Sequence, residues 1–407
     1  MKLMKYIFGS ALVIAIGCGF ASCSEDDLGE SIFDTTDGGL DPDSYTYNFD
    51  KWLLENYTQV YNLDFCYKMK DIATDMDYNL VPATYDKSVD LAVLTKYLWF
   101  DVYRDLVGVK FLQQYGPRII HLIGSTAINP ASQTEILGLA EGGLKVSLFR
   151  VNLLDTDDFE QLNEKYFKTM HHEFAHILHQ TKTYPKEFDL ITASHYEPFD
   201  WQSRNGGVVA SLGFTTNYAS SQAREDFAET IANYITRTDD QWNLTLWMAE
   251  RNWKAVDESE EYAFCYWYYA NEADEERGYK TYFGLFRDAD GVYEIQDATA
   301  LTDEEGSMYD ENGGTYGVTQ AKNSYTDVAS FEARLEELRA KYTVHEVENT
   351  DQVDGQANML QKLSIAREWF KSAWGLDIDA LRNEVQTRQV SFDINELRKD
   401  IDNPSAE

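Results

Sequence analysis

The sequence is poor in positive charge. Its 407 residues include 35 Lys and Arg against 70 Asp and Glu, which gives a formal net charge of −35. A chain this acidic repels phosphate backbones and anionic lipid headgroups, so nucleic-acid binding is set aside as a function. The hydrophobic share of 43% excludes wholesale disorder and predicts a large buried core.

The N-terminal apolar stretch is too short to span a bilayer. It follows Lys2 and Lys5 and ends in small residues, which is typical of a cleaved export signal. We therefore expect residues 1–22 to be a signal peptide and exclude them from the fold.

Cysteine is scarce, and its first candidate role is lipidation. Ala21-Ser22-Cys23 resembles a bacterial lipobox, and the run Ser24-Glu25-Asp26-Asp27 resembles the surface-export signal of Bacteroidetes-type lipoproteins. The resemblance implies that Cys23 is acylated and anchors the protein at the outer membrane, exposed at the cell surface. Cys18 is a rival acceptor, and a plain secretory signal is the alternative.

Only Cys66 and Cys265 remain after the lipobox. In an exported chain such a pair could form a disulfide. Both lie in apolar or aromatic runs, which favours two buried thiols instead.

Hydrophobic spacing predicts the order of elements. Alternation indicates a strand near Leu63–Met69, and short apolar runs indicate strands at residues 118–124 and 144–152. Predicted helices cover residues 86–115, 159–177, 220–235, 359–374 and 377–388.

The second predicted helix, residues 159–177, carries a concentrated group of histidines. Four of the seven lie within nine consecutive positions, and His172-Glu173-Phe174-Ala175-His176 has the pattern H-E-x-x-H. Residues four apart share one helical face, so His172 and His176 can converge on one zinc ion. Zinc lowers the pKa of water, and Glu173 is placed to take the proton. The alternative is a histidine-rich solvated helix face.

A zinc hydrolase of this kind needs a third protein ligand. The metzincin pattern would require Gly at 179 and His at 182, but the chain has His179 and Lys182. A glutamate from a downstream helix is the gluzincin solution, and Glu225 is our assigned ligand. Glu229, one turn later on the same face, is placed to accept the N–H of a liganding histidine.

Other arrangements remain open at this point. Asp226 or Glu229 could be the ligand, or these acids could simply cap or solvate a helix. His179 lies near the helical face that carries His172 and His176. It is a surplus ligand, a substrate contact, or a residue packed behind the ligands.

These segments carry a resemblance to a known family. His171 to Gln180, Gly213-Phe214 leading to Tyr218-Ala219, and Glu225 to Glu229 resemble the zinc-binding metallopeptidase lipoproteins of Bacteroidetes type, also described as substrate import-associated zinc metallohydrolases. Asp377 to Arg382 also fits. The resemblance covers residues 48–240 and about 355–390. It implies a Zn²⁺ cofactor, a peptide or protein substrate and association with a nutrient-import complex.

A more distant resemblance concerns Tyr218. In lethal-factor-type gluzincins a tyrosine seven residues before the liganding glutamate donates to the oxyanion of the reaction, and Tyr218 has that spacing to Glu225. A core tyrosine is the alternative. Zincins also pair extended substrate with an edge strand before the active helix, for which residues 140–146 are the candidate.

The expected fold is α+β and zincin-like, with a small mixed sheet packed on the HExxH helix and a mostly helical C-terminal lobe. The expected organisation is given by range: 23–45 a flexible acidic tether, 46–254 a catalytic domain, 255–355 an acidic insertion of unknown role, and 356–407 the C-terminal helices that complete the catalytic domain. The expected function is zinc-dependent peptide-bond hydrolysis. Rivals are a surface-tethered glycan- or peptide-binding lipoprotein with a vestigial zinc site, and a zinc hydrolase of another amide or ester.

Overall fold

The computed structural model describes most of the chain after its N-terminal segment. The described residues are 39–69, 80–128, 135–136, 138–141, 145–255, 262–278, 280–287, 293–302, 317–318, 323–325 and 327–403. The predicted signal peptide, Cys23 and most of the predicted tether therefore lie outside the described residues. The described residues up to Leu54 belong to one compact unit, and those from Glu55 onward belong to another.

The described part of the first unit is built around one helix, Tyr47–Leu53. The Thr46 hydroxyl, at the start of the helix, donates a hydrogen bond of 2.7 Å to the Asp50 carboxylate. Phe49 and Trp52 are buried and stack with ring centroids 6.5 Å apart. The two rings therefore mark the buried side of this helix.

The second unit is α+β and rich in helices. Its α-helices are Gln59–Tyr61, Tyr85–Thr95, Asp101–Val107, Val109–Tyr115, Phe159–Leu162, Lys168–Thr181, Glu187–Ile191, Gly206–Ser211, Ala223–Thr236, Asp239–Ala249, Glu272–Arg277, Val328–Arg339, Gly355–Trp369, Ile378–Gln389 and Ile394–Asp402. Among the described residues, no helix combines the length and apolar character needed to cross a bilayer.

Two sheets accompany these helices. The N-terminal sheet has the strand order Asp64–Cys66, Ile119–Leu122, Lys145–Leu148, Gly138–Glu141. Its first three strands are parallel, and the last is antiparallel to its neighbour. The described chain also contains a short antiparallel pair, Ala127–Ile128 with Glu135–Ile136. The N-terminal sheet is therefore mixed, with an antiparallel strand at one edge.

The second sheet is antiparallel and comes from the segment predicted as an acidic insertion. Its strands run in the order Gly317–Val318, Tyr293–Thr302, Thr281–Arg287, Tyr262–Tyr268, His345–Glu346, with Ser324–Tyr325 and Lys254–Ala255 pairing at the side. Phe331 from the helix Val328–Arg339 packs on Phe283 of the sheet and on Trp247, with ring centroids 5.7 and 5.2 Å apart. Because Trp247 belongs to the helix Asp239–Ala249, these contacts place the segment in a buried cluster that it shares with helices outside it.

The helix with the HExxH pattern, Lys168–Thr181, is called the motif helix below. It continues a shorter helix, Phe159–Leu162, through a π-helical turn at Asn163–Phe167. Such turns add a residue to the helix and reset which side chains share a face. The buried side of the motif helix carries Phe174, whose ring packs edge-on against Trp99 and Tyr103 at about 5 Å.

The helix Ala223–Thr236, called the acidic helix below, packs beside the motif helix and is held from behind by a buried ion pair. Lys362, from the helix Gly355–Trp369, places its ammonium 2.6 Å from Asp226, and both side chains are fully buried. The same ammonium donates to the Gly213 carbonyl at 2.8 Å. The Lys362 ammonium therefore joins the helix Gly355–Trp369 both to the acidic helix, through Asp226, and to the segment before it, through Gly213.

Gly213 is a position where the backbone requires glycine. Its φ is +100°, which side chains with a Cβ rarely adopt, and an added Cβ would lie 2.5 Å from the Asn358 side chain. This close approach allows the Gly213 carbonyl to reach Lys362.

Several predicted boundaries need correction. The predicted helix at residues 86–115 is interrupted at Gly108, whose φ of +85° ends one helix and begins the next. The predicted substrate strand at residues 140–146 is wrong as a single strand, because parts of two antiparallel strands lie there and Gly138–Glu141 forms the edge. The helix Ile394–Asp402 was not predicted.

We expect Lys362→Met to destabilise the second unit strongly. The substitution leaves the Asp226 carboxylate buried without its cation, and breaking a buried pair in this way costs about 3–5 kcal/mol. The free energy of unfolding from denaturant titration measures the effect. Lys399→Met is the matched control, because its partner Glu396 is exposed and the pair should add nothing measurable. Equal unfolding midpoints for the two variants would contradict a structural role for the buried pair.

Candidate metal centre

Three side chains from the motif helix and the acidic helix converge on one point. The Nε2 atoms of His172 and His176 are 3.0 Å apart, and the Glu225 Oε2 atom lies 3.1 and 3.0 Å from them. Among the described residues, this is the group whose geometry could hold a metal ion. Ligands at 2.0–2.1 Å from a tetrahedral zinc are separated by about 3.3 Å, so the triangle has nearly the size that zinc requires.

The tautomer of His172 is set by Glu229, which contacts the ring nitrogen that faces away from the converging point. Its Nδ1 lies 2.8 Å from Glu229 Oε1, so the ring donates its proton there and keeps the Nε2 lone pair for the converging point. Glu229 Oε2 accepts from Thr216 at 2.7 Å and from Asn233 at 3.1 Å. All these groups are buried. Both oxygens of Glu229 are thus occupied, which leaves Glu225 as the carboxylate that faces the histidines.

His179 plays a similar part for His176. The Nδ1 atom of His176 and the Nε2 atom of His179 are 2.8 Å apart. Burial lowers the pKa of His179 to about 4, helped by the neighbouring His176, so its ring is neutral and can accept the Nδ1 proton of His176. His179 therefore lies behind the cluster as a neighbour of His176 and not on the converging point.

The donor set fits a divalent cation. With each Nδ1 proton directed to an acceptor, two nitrogen lone pairs and a carboxylate oxygen face one another at about 3 Å, which is repulsive unless a cation or a proton lies between them. The pKa of His172 reflects this electrostatic repulsion. Burial lowers the pKa, but the Glu225 and Glu229 carboxylates outweigh burial and raise the pKa to about 10. The same histidines hold the pKa of Glu225 well below its usual value against its burial.

Glu173 lies beside the cluster without joining it. It is half-buried, and burial raises its pKa while the two imidazoles oppose the shift. A carboxylate with a raised pKa is a better proton acceptor than an ordinary surface glutamate. Its place next to His172 on the motif helix lets it act on a molecule held at the cluster.

Tyr218 stands at the mouth of the cluster. Its ring centroid lies 5.9 Å from that of His172, and 38% of the residue is exposed. Burial of its ring and the neighbouring Glu225 carboxylate raise the pKa of the phenol, so the hydroxyl stays protonated and can donate. It begins a short 3₁₀ turn, Tyr218–Ser221, directly before the acidic helix.

The remaining predicted residues lie apart from the converging point. The Asp226 carboxylate turns away to Lys362 and accepts from the Tyr196 hydroxyl at 2.8 Å. His171 points to the core, where its Nδ1 atom lies 2.9 Å from the Tyr103 hydroxyl. No disulfide joins Cys66 to Cys265, and Cys265 is buried.

Sequence reasoning missed Thr216, Asn233 and Lys362 as supports of the site. Asn233 lies four residues after Glu229 on the acidic helix, so its contact could have been inferred from helical spacing. Thr216 and Lys362 have no comparable signal, because their contacts depend on how separate segments pack.

Comparisons with known proteins agree with this picture. The family described as "Putative zinc-binding metallo-peptidase" matches residues 43–379, and the chain belongs to it. Its members are described as zinc-binding metallopeptidases. A solved structure of a putative zinc-binding metallo-peptidase from Bacteroides caccae is 31% identical, with a TM-score of 0.54, over 88% of this chain and 95% of that one. No curated protein shows significant similarity to the chain.

Proposed function

We propose that this member of the zinc-binding metallopeptidase family is a gluzincin-type peptidase in which His172, His176 and Glu225 hold the zinc ion. The observation that carries the proposal is the convergence of their three donor atoms within about 3 Å of one another. The N-terminal sheet is mixed, and its antiparallel edge strand Gly138–Glu141 precedes the motif helix in the sequence. This arrangement supports a zincin-like fold. The catalytic domain then comprises residues 46–254 and 356–407.

The proposed chemistry divides between the zinc ion and two side chains, Glu173 and Tyr218. Zinc, when bound, supplies a Lewis acid that polarises the scissile carbonyl and lowers the pKa of water. Glu173 takes the proton from the attacking water and passes it to the leaving amine. Tyr218 donates a hydrogen bond to the oxyanion that develops on the carbonyl oxygen. Glu229 touches none of the reacting atoms and acts by orienting His172.

We further propose that the enzyme works at the outer surface of the cell on peptide or protein substrates, beside a nutrient-import complex. The support is the lipobox-like Cys23 with its acidic run, and the resemblance to import-associated lipoproteins. An acyl anchor at Cys23, followed by the acidic segment to residue 45, would hold the catalytic domain at the membrane.

Glu173→Gln should retain zinc and lose turnover. The amide preserves shape and leaves the three ligands intact, but it cannot accept a proton, so kcat should fall by about 10²–10⁴-fold. Metal analysis should find about one zinc per chain in both proteins, with peptide cleavage in the wild type only. Retained cleavage would dismiss the general-base role, and absence of zinc after reconstitution would dismiss the metal site.

Tyr218→Phe should lower kcat with little change in zinc content. Removing one donor to an oxyanion typically costs about 10²–10³-fold in kcat. Tyr282→Phe is a matched control, because that tyrosine packs on Phe264 in the second sheet. An unchanged rate for the Tyr218 variant would remove the phenol from the mechanism.

Thr216→Val should weaken zinc binding. Valine has the shape of threonine but cannot donate to Glu229, and loss of a hydrogen bond behind a metal ligand typically costs about 10–100-fold in affinity. Thr216→Ser keeps the hydroxyl and should bind zinc like the wild type. Competition against a chelator of known zinc affinity measures both. Equal affinities for the two variants would show that the hydroxyl does not support His172.

A further inference from the structure

A short loop with two exposed or half-exposed aromatic residues borders the metal centre. It spans residues 197–204 and is called the aromatic loop below. Phe199 is 93% exposed, and Trp201 is half-buried. Single exposed hydrophobic residues are common on protein surfaces, so exposure alone assigns no role to Phe199.

The position of the aromatic loop is fixed by hydrogen bonds at both of its ends. At its start, the Glu197 backbone N–H donates to the Ser220 carbonyl at 2.8 Å. At its end, the Asn217 side chain donates to the Arg204 carbonyl at 2.5 Å. Both partners belong to the turn that carries Tyr218. The loop is therefore bound to the same short segment as the proposed oxyanion donor.

A chain of ring contacts leads from the metal centre to the loop. The Tyr218 ring lies 5.9 Å from His172, and the Trp201 ring packs edge-on against Tyr218 at 4.9 Å. The Tyr218 ring therefore lies between Trp201 and His172, whose Nε2 is one of the converging donor atoms. Phe199 lies two residues before Trp201 on the anchored loop and presents its ring to solvent.

We propose that Phe199 and Trp201 form a substrate subsite that selects a bulky apolar side chain close to the scissile bond. The inference rests on the proposed function and deepens it by naming a substrate class. Three observations carry it: the ring contacts to Tyr218 and His172, the double anchoring of the loop, and the full exposure of an aromatic ring at that place. Binding of an apolar side chain would remove both surfaces from water.

The subsite predicts selectivity more than rate. The wild type should prefer peptides with Leu or Phe next to the cleaved bond over otherwise identical peptides with Ser, by about 10-fold or more in kcat/KM. Phe199→Ala and Trp201→Ala should reduce this ratio severalfold. A purely structural role would instead lower the rates for all peptides together and leave the ratio unchanged.

Two control variants sharpen the comparison. Leu190→Ala removes another exposed apolar side chain, one that is 72% exposed and lies outside the aromatic loop, and it should keep the wild-type ratio. Trp201→Phe retains a ring against Tyr218 and should keep most of the preference. Profiles from the same peptide set for all five proteins give the test.

A binding measurement separates this inference from the proposed function. In the Glu173→Gln background, calorimetric affinities for the Leu, Phe and Ser peptides should show the same preference, reduced by Phe199→Ala. If the wild type cleaves no peptide but the binding preference depends on Phe199, the proposed function fails and the subsite stands. An unchanged preference in the loop variants overturns the subsite, and absence of any peptide binding overturns both.

Discussion

The hydrogen bond between Glu229 and His172 is the interaction on which the proposed metal centre depends. A histidine can direct a lone pair toward a cation through Nε2 only while its proton is held on Nδ1, and Glu229 holds it there at 2.8 Å. Glu229 can do so only as a carboxylate, although it is buried. Nearby Lys168, with His172 and the Thr216 hydroxyl, outweighs burial and keeps the pKa of Glu229 low. The centre therefore requires a satisfied polar network behind it.

A second buried interaction determines where the third donor stands. Glu225 and Asp226 are neighbours on the acidic helix, but their carboxylates face opposite environments. Asp226 is drawn back to Lys362, and Glu225 is directed to the histidines. The ion pair thus sets the rotation of the acidic helix about its axis. Because these two adjacent acids have different partners, the helix has one defined rotation about its axis. An amphipathic pattern alone would define that rotation less narrowly.

The sequence revealed the parts of the site that lie on one helix at a time. His172 and His176 follow from helical spacing, and Glu225 with Glu229 follows from the same rule on a second helix. The helix predicted over residues 86–115 missed the break at Gly108, whereas the helix predicted from residue 159 does begin at Phe159 and continues through the π-helical turn. Contacts between segments remote in the sequence, such as Lys362 with Asp226, have no periodic signature. They arise from packing, and only the structure could supply them.

In the proposed enzyme, the chain between the motif helix and the acidic helix carries the residues that would contact substrate, and the two helices carry the residues that would hold the ion. The motif helix ends at Thr181 and the acidic helix begins at Ala223, and Tyr218 and the aromatic loop both lie in between. Helices hold donor atoms to a few tenths of an ångström because packing locks their side chains. Loops tolerate substitution far better, since few buried contacts constrain them. If residues 197–204 contact substrate as proposed, substrate preference can change there without moving the three converging donor atoms, provided that the bonds to the Tyr218 turn persist.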